Sequence, residues 1–440
     1  MKLTVGGDVR VPGDKSLTHR ALMFAAAASG KSRLSGLLDG EDCQSTARIL
    51  RALGADVPPP PAGGGSIAVD SGGLDSWKAP VDILDCGNSG TTARLMMGLL
   101  AGRPFTAGLT GDESLRSRPM RRVTAPLSEM GAVVREMGAP DRLPLEITGG
   151  SLREIFHTSP HASAQIKSAV LLAGISGRVP VSILEPAQSR DHTERMLQLL
   201  GASVESGSQD GGWLVRLEPP AAPLSTLEMR VPGDPSSAAF LLALALLADG
   251  GEVRVRDVCV NPTRIGFLEV LRRMGGDIRM ENERLEGGEP VADLLGRPSE
   301  LRGTTITASE VPSLIDEIPI LAALATRAAG ATTFTGAGEL RAKESDRIAV
   351  LVSNLQRLGA RVEELTDGLV VDGSHTPLTG TVMTHHDHRI AMAFGVLGSL
   401  PGNTIEVDLP HVVEVSFPGF WPLLASIANG GSTATGPGIR

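Results

Sequence analysis

The chain has 440 residues, 41% of them hydrophobic, a length that suggests about three domains by size alone and carries ample material for large cores. A formal charge of −9, three Trp and no Tyr argue against a nucleic-acid surface, which wants basic and aromatic residues together. The longest apolar run, Ala238–Ala248, is too short to cross a bilayer, Met1–Arg10 has no signal-peptide pattern, and Cys43, Cys86 and Cys259 lack metal or disulfide spacing, so a cytoplasmic protein with reduced thiols is expected.

The pattern Arg-Val-Pro-Gly-Asp-x-Ser begins at Arg10 and again at Arg230, 220 positions later. Each copy opens an Ala/Leu-rich segment that stops at a glycine, which marks a duplicated half and favours two large domains. The copies differ at Lys15, replaced by Pro235, so the position needs no lysine for structural reasons. A finer repeat runs through both halves. Amphipathic helices close at Gly54, Gly131, Gly201, Gly275 and Gly359, spaced 70 to 84 apart, and each hands over to a β-branched strand. A degenerate sixth is expected over Phe420–Asn429. Other helices begin near Ser16, Gly90, Gln165, Ser236, Asp316 and Arg389. Six α/β units, three per half, follow.

The helix starts carry the chemistry. Gly13–Ser16 precedes a helix with Ser16 and Arg20 on one face, where free N–H groups, the helix dipole, Lys15 and Arg20 all favour anions. An ordinary capped helix explains this motif equally well. Asp85–Thr92 follows an apolar strand expected at Val81–Leu84; Gly90 leaves room for a ligand to approach the backbone, and Asn88 can donate or cap. Arg116, Arg118, Arg121 and Arg122 form a basic cluster in which Pro119 fixes the turn that could aim Arg118 at a carboxylate or phosphate. Ser163–Lys167 opens a third buried helix, and Ser189–His192 follows a strand at Val181–Leu184. The Ser, Asp and His there are too close in sequence to form a hydrolytic relay. Asp316-Glu317 begins a buried helix expected over Ile318–Ala329. Lys343 and Arg347 are read as four apart on one helical face. The run His385–Arg389 is too crowded for a structural zinc site, and Arg389 opposes a cation, so no metal is assigned. Together Lys15, Arg20, Arg118, Lys343, Arg347 and Arg389 concentrate positive charge at helix starts of an acidic protein. That suits substrates bearing phosphates and carboxylates, with Asp316 and Glu344 as candidates for proton transfer.

Several segments resemble the 5-enolpyruvylshikimate-3-phosphate (EPSP) synthase family of enolpyruvyl transferases: Gly-Asp-Lys-Ser at 13–16, Gly-Asn-Ser-Gly-Thr at 87–91 and Thr-Gly-Asp-x-Ser-Leu-x-x-Arg-Pro at 110–119. They continue with Ser-Ala-Gln-x-Lys at 163–167, Arg-Asp-His-Thr-Glu at 190–194, Ile-Asp-Glu at 315–317, Lys-Glu-Ser-Asp-Arg at 343–347, Asp-His-Arg at 387–389 and Ser-Phe-Pro at 416–418. The resemblance implies two domains of three βαβαββ units each, an inside-out α/β barrel with helices inside. It places a shikimate-phosphate domain at 14–231 and a second domain at 1–13 and 232–440, with the active site in the cleft between them.

The implied reaction moves the enolpyruvyl group of phosphoenolpyruvate to the 5-hydroxyl of shikimate 3-phosphate by addition and elimination, with no metal or cofactor, in a chain expected to be monomeric. By similarity, Lys15, Ser16, Arg20, Ser163, Ala164, Gln165, Ser189, Asp316 and Lys343 surround shikimate 3-phosphate. Lys15, Asn88, Gly90, Arg118, Gln165, Arg347 and Arg389 surround phosphoenolpyruvate. Asp316 would take the hydroxyl proton, while Glu344 and Lys15 would serve the phosphoenolpyruvate methylene. Glyphosate, the family inhibitor, would occupy the phosphoenolpyruvate site, where an alanine at Gly90 would crowd it. The rival readings are the sister transferase acting on UDP-N-acetylglucosamine, whose usual loop cysteine is absent from Gly111–Arg118, an RNA 3′-phosphate cyclase, disfavoured by charge and composition, and a non-catalytic anion-binding scaffold.

Overall fold

A computed structural model describes residues 2–430. The chain divides into two compact units. An inserted unit comprises Gly13–Val231 with Glu286–Glu289, and a flanking unit takes residues up to Pro12, Pro232–Leu285 and the chain from Pro290 onward.

Among the described residues each unit contains three small sheets. In the inserted unit the sheet orders are Glu228–Arg230 beside Ser29–Ser35 beside Ile67–Gly72, then Leu84–Asp85, Thr106–Thr110, Leu145–Thr148 and Val133–Glu136, and then Ile155–Thr158, Val181–Glu185, Gly212–Glu218 and Ser203–Gln209. The flanking unit repeats this plan with Thr4–Arg10, Gly250–Cys259, Glu289–Arg297 and Asp277–Glu286, with Thr305–Ile306, Ala331–Phe334, Gly368–Asp372 and Arg361–Leu365, and with the pair Thr379–Val382 and Thr404–Val407. In each sheet the first two strands are parallel. Four of these pairs are joined across a central helix, whereas Thr4–Arg10 beside Gly250–Cys259 and Glu228–Arg230 beside Ser29–Ser35 bring together strands far apart in sequence.

The six central helices are Lys15–Ala27, Gly90–Ala101, Ala164–Gly177, Pro235–Leu247, Ile318–Ala325 and His388–Gly398. They are apolar nearly all round and almost wholly buried, the signature of a helix enclosed in a core. Five outer helices, Glu41–Ala52, Arg121–Met130, His192–Leu199, Gly266–Arg273 and Arg347–Arg357, are amphipathic and end as the repeat requires, while the sixth, Phe420–Ala428, ends at Asn429 without that glycine turn. Gly54, Gly131, Gly201, Gly275 and Gly359 all have φ between 94° and 116°, a region where a side chain would be strained. This is the inside-out α/β architecture, six units in two domains. Close helix packing relies on glycine at Gly98, where a Cβ would lie 2.1 Å from the Ala169 carbonyl oxygen of the neighbouring central helix.

Three local expectations change. The strand before Gly87 covers only Leu84–Asp85, and Val81 is 99% exposed, because Pro80 and the bend after it keep that apolar run out of the sheet. The Ile318 helix stops at Ala325, not Ala329; Thr326 turns its hydroxyl back to the Ala323 carbonyl and the next N–H groups bond three residues back, a tightened end. Lys343 lies in extended backbone before the helix Arg347–Arg357, so it shares no helical face with Arg347.

Candidate active site

In the inserted unit the first central helix starts at Lys15, capped by Asp14, whose carboxylate accepts from Leu17 N at 2.8 Å. The Lys15 ammonium pairs with Asp42, in the first turn of the helix Glu41–Ala52. Arg20 is buried one turn further on. Its Nε donates to Thr193 Oγ1 at 2.7 Å, Nη2 to Ser168 Oγ at 2.8 Å and Nη1 to the Ser16 carbonyl at 3.0 Å. Burial lowers the Arg20 guanidinium to about 10, against the pull of Glu194 and Asp14, so it stays charged at neutral pH. Burial, then Lys15 and Arg20, push the His19 imidazole well below its usual value. His19 Nδ1 shares a proton with Thr46 Oγ1 at 2.8 Å, and Thr46 in turn meets Thr92 Oγ1 at 2.7 Å.

The second central helix begins at Gly90 behind the Ser89 cap, which accepts from Thr92 N. A Cβ at Gly90 would come within 2.6 Å of Arg94 Nη1 and 3.5 Å of Arg118 Nη1. Arg94 donates to Gln165 Oε1 at 2.9 Å, while Gln165 Nε2 donates to Thr91 Oγ1 at 3.0 Å. Of the four arginines clustered at 116–122, only Arg118 is buried. Its Nη2 donates to Asn88 Oδ1 at 3.0 Å and Ser114 Oγ at 3.2 Å, and Asn88 donates to Asp112. Asn88 therefore orients Arg118 and does not cap the helix. Hydrogen bonds thus tie the first helix start to the third through Arg20 and Ser168 and the second to the third through Arg94, Thr91 and Gln165, while Arg118 is held by Asn88 just ahead of the second. Ser163 and Ser189 meet at one carboxylate, Glu185, and Ala164 opens the third helix.

The flanking unit carries a second cluster. Asp316 sits in a single 3-10 turn, Ile315–Glu317, ahead of its helix. Its Oδ1 lies 3.5 Å from Arg347 Nη1 and 3.6 Å from Lys343 Nζ. Arg389 Nη1 donates to the Asp316 carbonyl at 3.1 Å. Arg347 is 1% exposed and also donates to Asp387 at 2.8 Å and Glu344 at 2.5 Å. Burial by itself would lower the Arg347 guanidinium, but Asp387, Glu344 and Asp316 outweigh it and raise it. Asp387 is held below the usual carboxylate range because Arg347 overcomes the burial that would raise it. Asp316, Lys343, Glu344, Arg347 and Arg389 therefore form one contiguous constellation.

Sequence reading missed several members. Arg94 was detectable as a lone arginine one turn after Gly90 in a Leu/Met helix. Asp42 resembled an ordinary acidic first turn. Lys167 is wholly buried and paired with Glu185 at 3.0 Å and Glu194 at 2.8 Å; burial alone would depress it, yet the two carboxylates keep it above its usual value. Burial raises the Glu194 carboxyl, with Lys167 opposing. Asp387, read within a doubtful metal motif, is the anchor of Arg347.

Cationic helix starts around acid groups on this six-unit fold define an enolpyruvyl transferase architecture. The enolpyruvyl transferase NikO from Streptomyces tendae shares it with a TM-score of 0.73 at 18% identity, over 98% of this chain and 95% of that one, a likeness of fold alone. The model of the family EPSP synthase (3-phosphoshikimate 1-carboxyvinyltransferase) matches residues 2–424, and the chain belongs to that family. It is 46% identical to the 3-phosphoshikimate 1-carboxyvinyltransferase of Desulforamulus reducens over 422 residues, 96% of each chain. With the Gloeobacter violaceus protein of the same name identity is 48% over 426 residues, again 96% of each. The solved EPSP synthase from Acinetobacter baumannii superposes with a TM-score of 0.84 at 39% identity, covering 97% of this chain and 96% of that one. No described helix is long and apolar enough to cross a membrane.

Proposed function

We propose that this transferase moves the enolpyruvyl group of phosphoenolpyruvate onto the 5-hydroxyl of shikimate 3-phosphate, releasing phosphate, in aromatic amino-acid biosynthesis. The observation that carries the reading is the setting of Asp316: a carboxylate within 3.6 Å of Lys343 and Arg347, beside Glu344. A hydroxyl becomes a useful nucleophile when a base removes its proton as the new bond forms, and Asp316 is that base. In the addition step the 5-oxygen bonds to C2 of phosphoenolpyruvate and the methylene carbon gains a proton. In the elimination step the C2–phosphate bond breaks and that carbon loses a proton. Lys15 and Glu344 serve the two methylene transfers.

Ser16, Arg20, Ser163, Ala164, Gln165, Ser189 and Lys343 hold shikimate 3-phosphate in this reading. Helix-start N–H groups and Arg20 supply the positive field its phosphate needs. Lys15, Asn88, Gly90, Arg118, Gln165, Arg347 and Arg389 hold phosphoenolpyruvate, with guanidinium forks suited to its carboxylate and phosphate. The incoming carboxylate takes the place of Glu344 on Arg347, which frees Glu344 for proton transfer. Holding both reactants in attack geometry supplies much of the acceleration.

The test is phosphate release from phosphoenolpyruvate with shikimate 3-phosphate or UDP-N-acetylglucosamine as acceptor. Release with the shikimate ester alone is expected. Release with the sugar nucleotide alone would overturn the substrate, and release with neither would overturn the activity.

A further inference from the structure

Ser163 is the residue that normally caps its helix, yet its hydroxyl makes no cap bond. In the usual capping box a glutamate three residues into the helix accepts the cap residue's own N–H. Here that position is Ile166, and the acceptor comes from the neighbouring strand: Ser163 N donates to Glu185 Oε1 at 2.9 Å. The same carboxylate accepts the Ser189 hydroxyl, at 2.8 Å to each oxygen. Lys167, one turn along the helix, bonds Glu185 Oε2 at 3.0 Å and the Ser189 carbonyl at 3.2 Å. Glu185 is 1% exposed and Lys167 fully buried. A helix start, a strand end and a loop are thus pinned to one buried ion pair, while the Ser163 hydroxyl is spared from capping.

We propose that Glu185, with Lys167 as its counter-ion, is a positioning residue for the phosphate of shikimate 3-phosphate, acting by fixing Ser163 and Ser189 at their working separation. This rests on the reading that those two serines hold the substrate. Lys167, shared with Glu194, also offsets the charge of Glu185, which would otherwise repel a phosphate more strongly, and a buried carboxylate without such a partner is costly.

A purely electrostatic role and a positioning role predict opposite signs. Glu185→Gln removes a negative charge near the phosphate, so charge alone would tighten binding. It also replaces one acceptor oxygen by a donor, which loosens both serines. Calorimetric titration with shikimate 3-phosphate, alongside KM for both substrates, separates them. Glu185→Gln and Ser189→Ala should each weaken shikimate 3-phosphate binding about tenfold, and the double variant only about 10–20-fold, because both act through one contact. In Glu185→Gln, KM for phosphoenolpyruvate and kcat should move less than about twofold. Unchanged or tighter binding in Glu185→Gln, or effects of the two changes that multiply, would overturn the inference. Unchanged binding in Ser189→Ala would instead remove the substrate reading beneath it.

Discussion

The two Val-Pro-Gly-Asp helix starts share a backbone plan and differ in what they do with charge. At the first, Asp14 accepts from Leu17 N, and Lys15 faces Asp42 with 20% of its side chain exposed. At the second, Asp234 accepts from Ser236 N and Pro235 fills the first helical position, where a missing N–H costs nothing. A cation is nevertheless present there. Arg264, 3% exposed, reaches in from another turn to donate to Asp234 at 3.1 Å and to Ser236 Oγ at 2.9 Å, and Ser236 donates to buried Glu317. One copy keeps an accessible ammonium, and the other locks a guanidinium among polar groups. The same cap thus presents a solvent-reachable cation in one case and encloses one in a structural joint in the other.

The widest separation of the two should come from Lys15→Met. Its kcat should fall on the order of 10³-fold, as expected for losing a proton-transfer and anion-binding group. Its thermal midpoint should drop by only a few degrees, and near-normal turnover in the folded variant would erase the distinction. Asp316→Ala should lose about 10²–10⁴-fold in kcat with little change in either KM. If only KM rises, Asp316 binds substrate and is not the base. Arg264→Met should show the opposite profile to Lys15→Met: it removes a buried guanidinium from Asp234 and Ser236, so stability in denaturant titrations should fall by about 3–5 kcal/mol. A loss below about 1 kcal/mol would show that the second joint is dispensable. Gly90→Ala should be milder, since the new Cβ clashes with the flexible tip of Arg94 and is in ordinary contact with Arg118. KM for phosphoenolpyruvate should rise several-fold as Arg94 leaves Gln165, with the fold unaffected.

The smallest effect concerns pH. His19 is held neutral by burial, Lys15 and Arg20, so below an unfolded-state value of about 6.5 the unfolded chain binds a proton that the folded chain refuses. Stability should therefore fall as pH drops below that value, by up to about 1.4 kcal/mol per unit. In His19→Gln the slope should lessen over that window, as read by denaturation at pH 5 and 7. An unchanged slope would assign the acid sensitivity elsewhere.

Much of this was legible beforehand because helix and strand units repeat at near-constant spacing. The five terminal glycines mark a backbone conformation that a side chain resists, so they locate helix ends directly. The cationic helix starts were legible for a similar reason, since charge in an apolar helix has few structural uses. What stayed hidden were partners distant in sequence. Arg264 lies 30 residues beyond Asp234, and Glu185 lies 22 beyond Ser163; spacing along the chain carries no trace of either pairing. Val81–Leu84 misled for a different reason: its apolar content suits a strand, but Pro80 and the following bend leave it outside the ladder.

The strand Thr4–Arg10 pairs in register with Gly250–Arg256, and Leu3 N bonds Asp249 at 2.7 Å. During synthesis, then, this strand leaves the ribosome long before the strand it pairs with. It must wait unpaired while some 240 further residues emerge, although Gly13–Val231 can complete its own sheets in the meantime. Through that interval its exposed edge is open to mispairing with other chains. Glycine at positions 6 and 7, Asp8 and Arg10 make it a poor aggregation seed, so the strand that must stay idle is one unlikely to pair elsewhere.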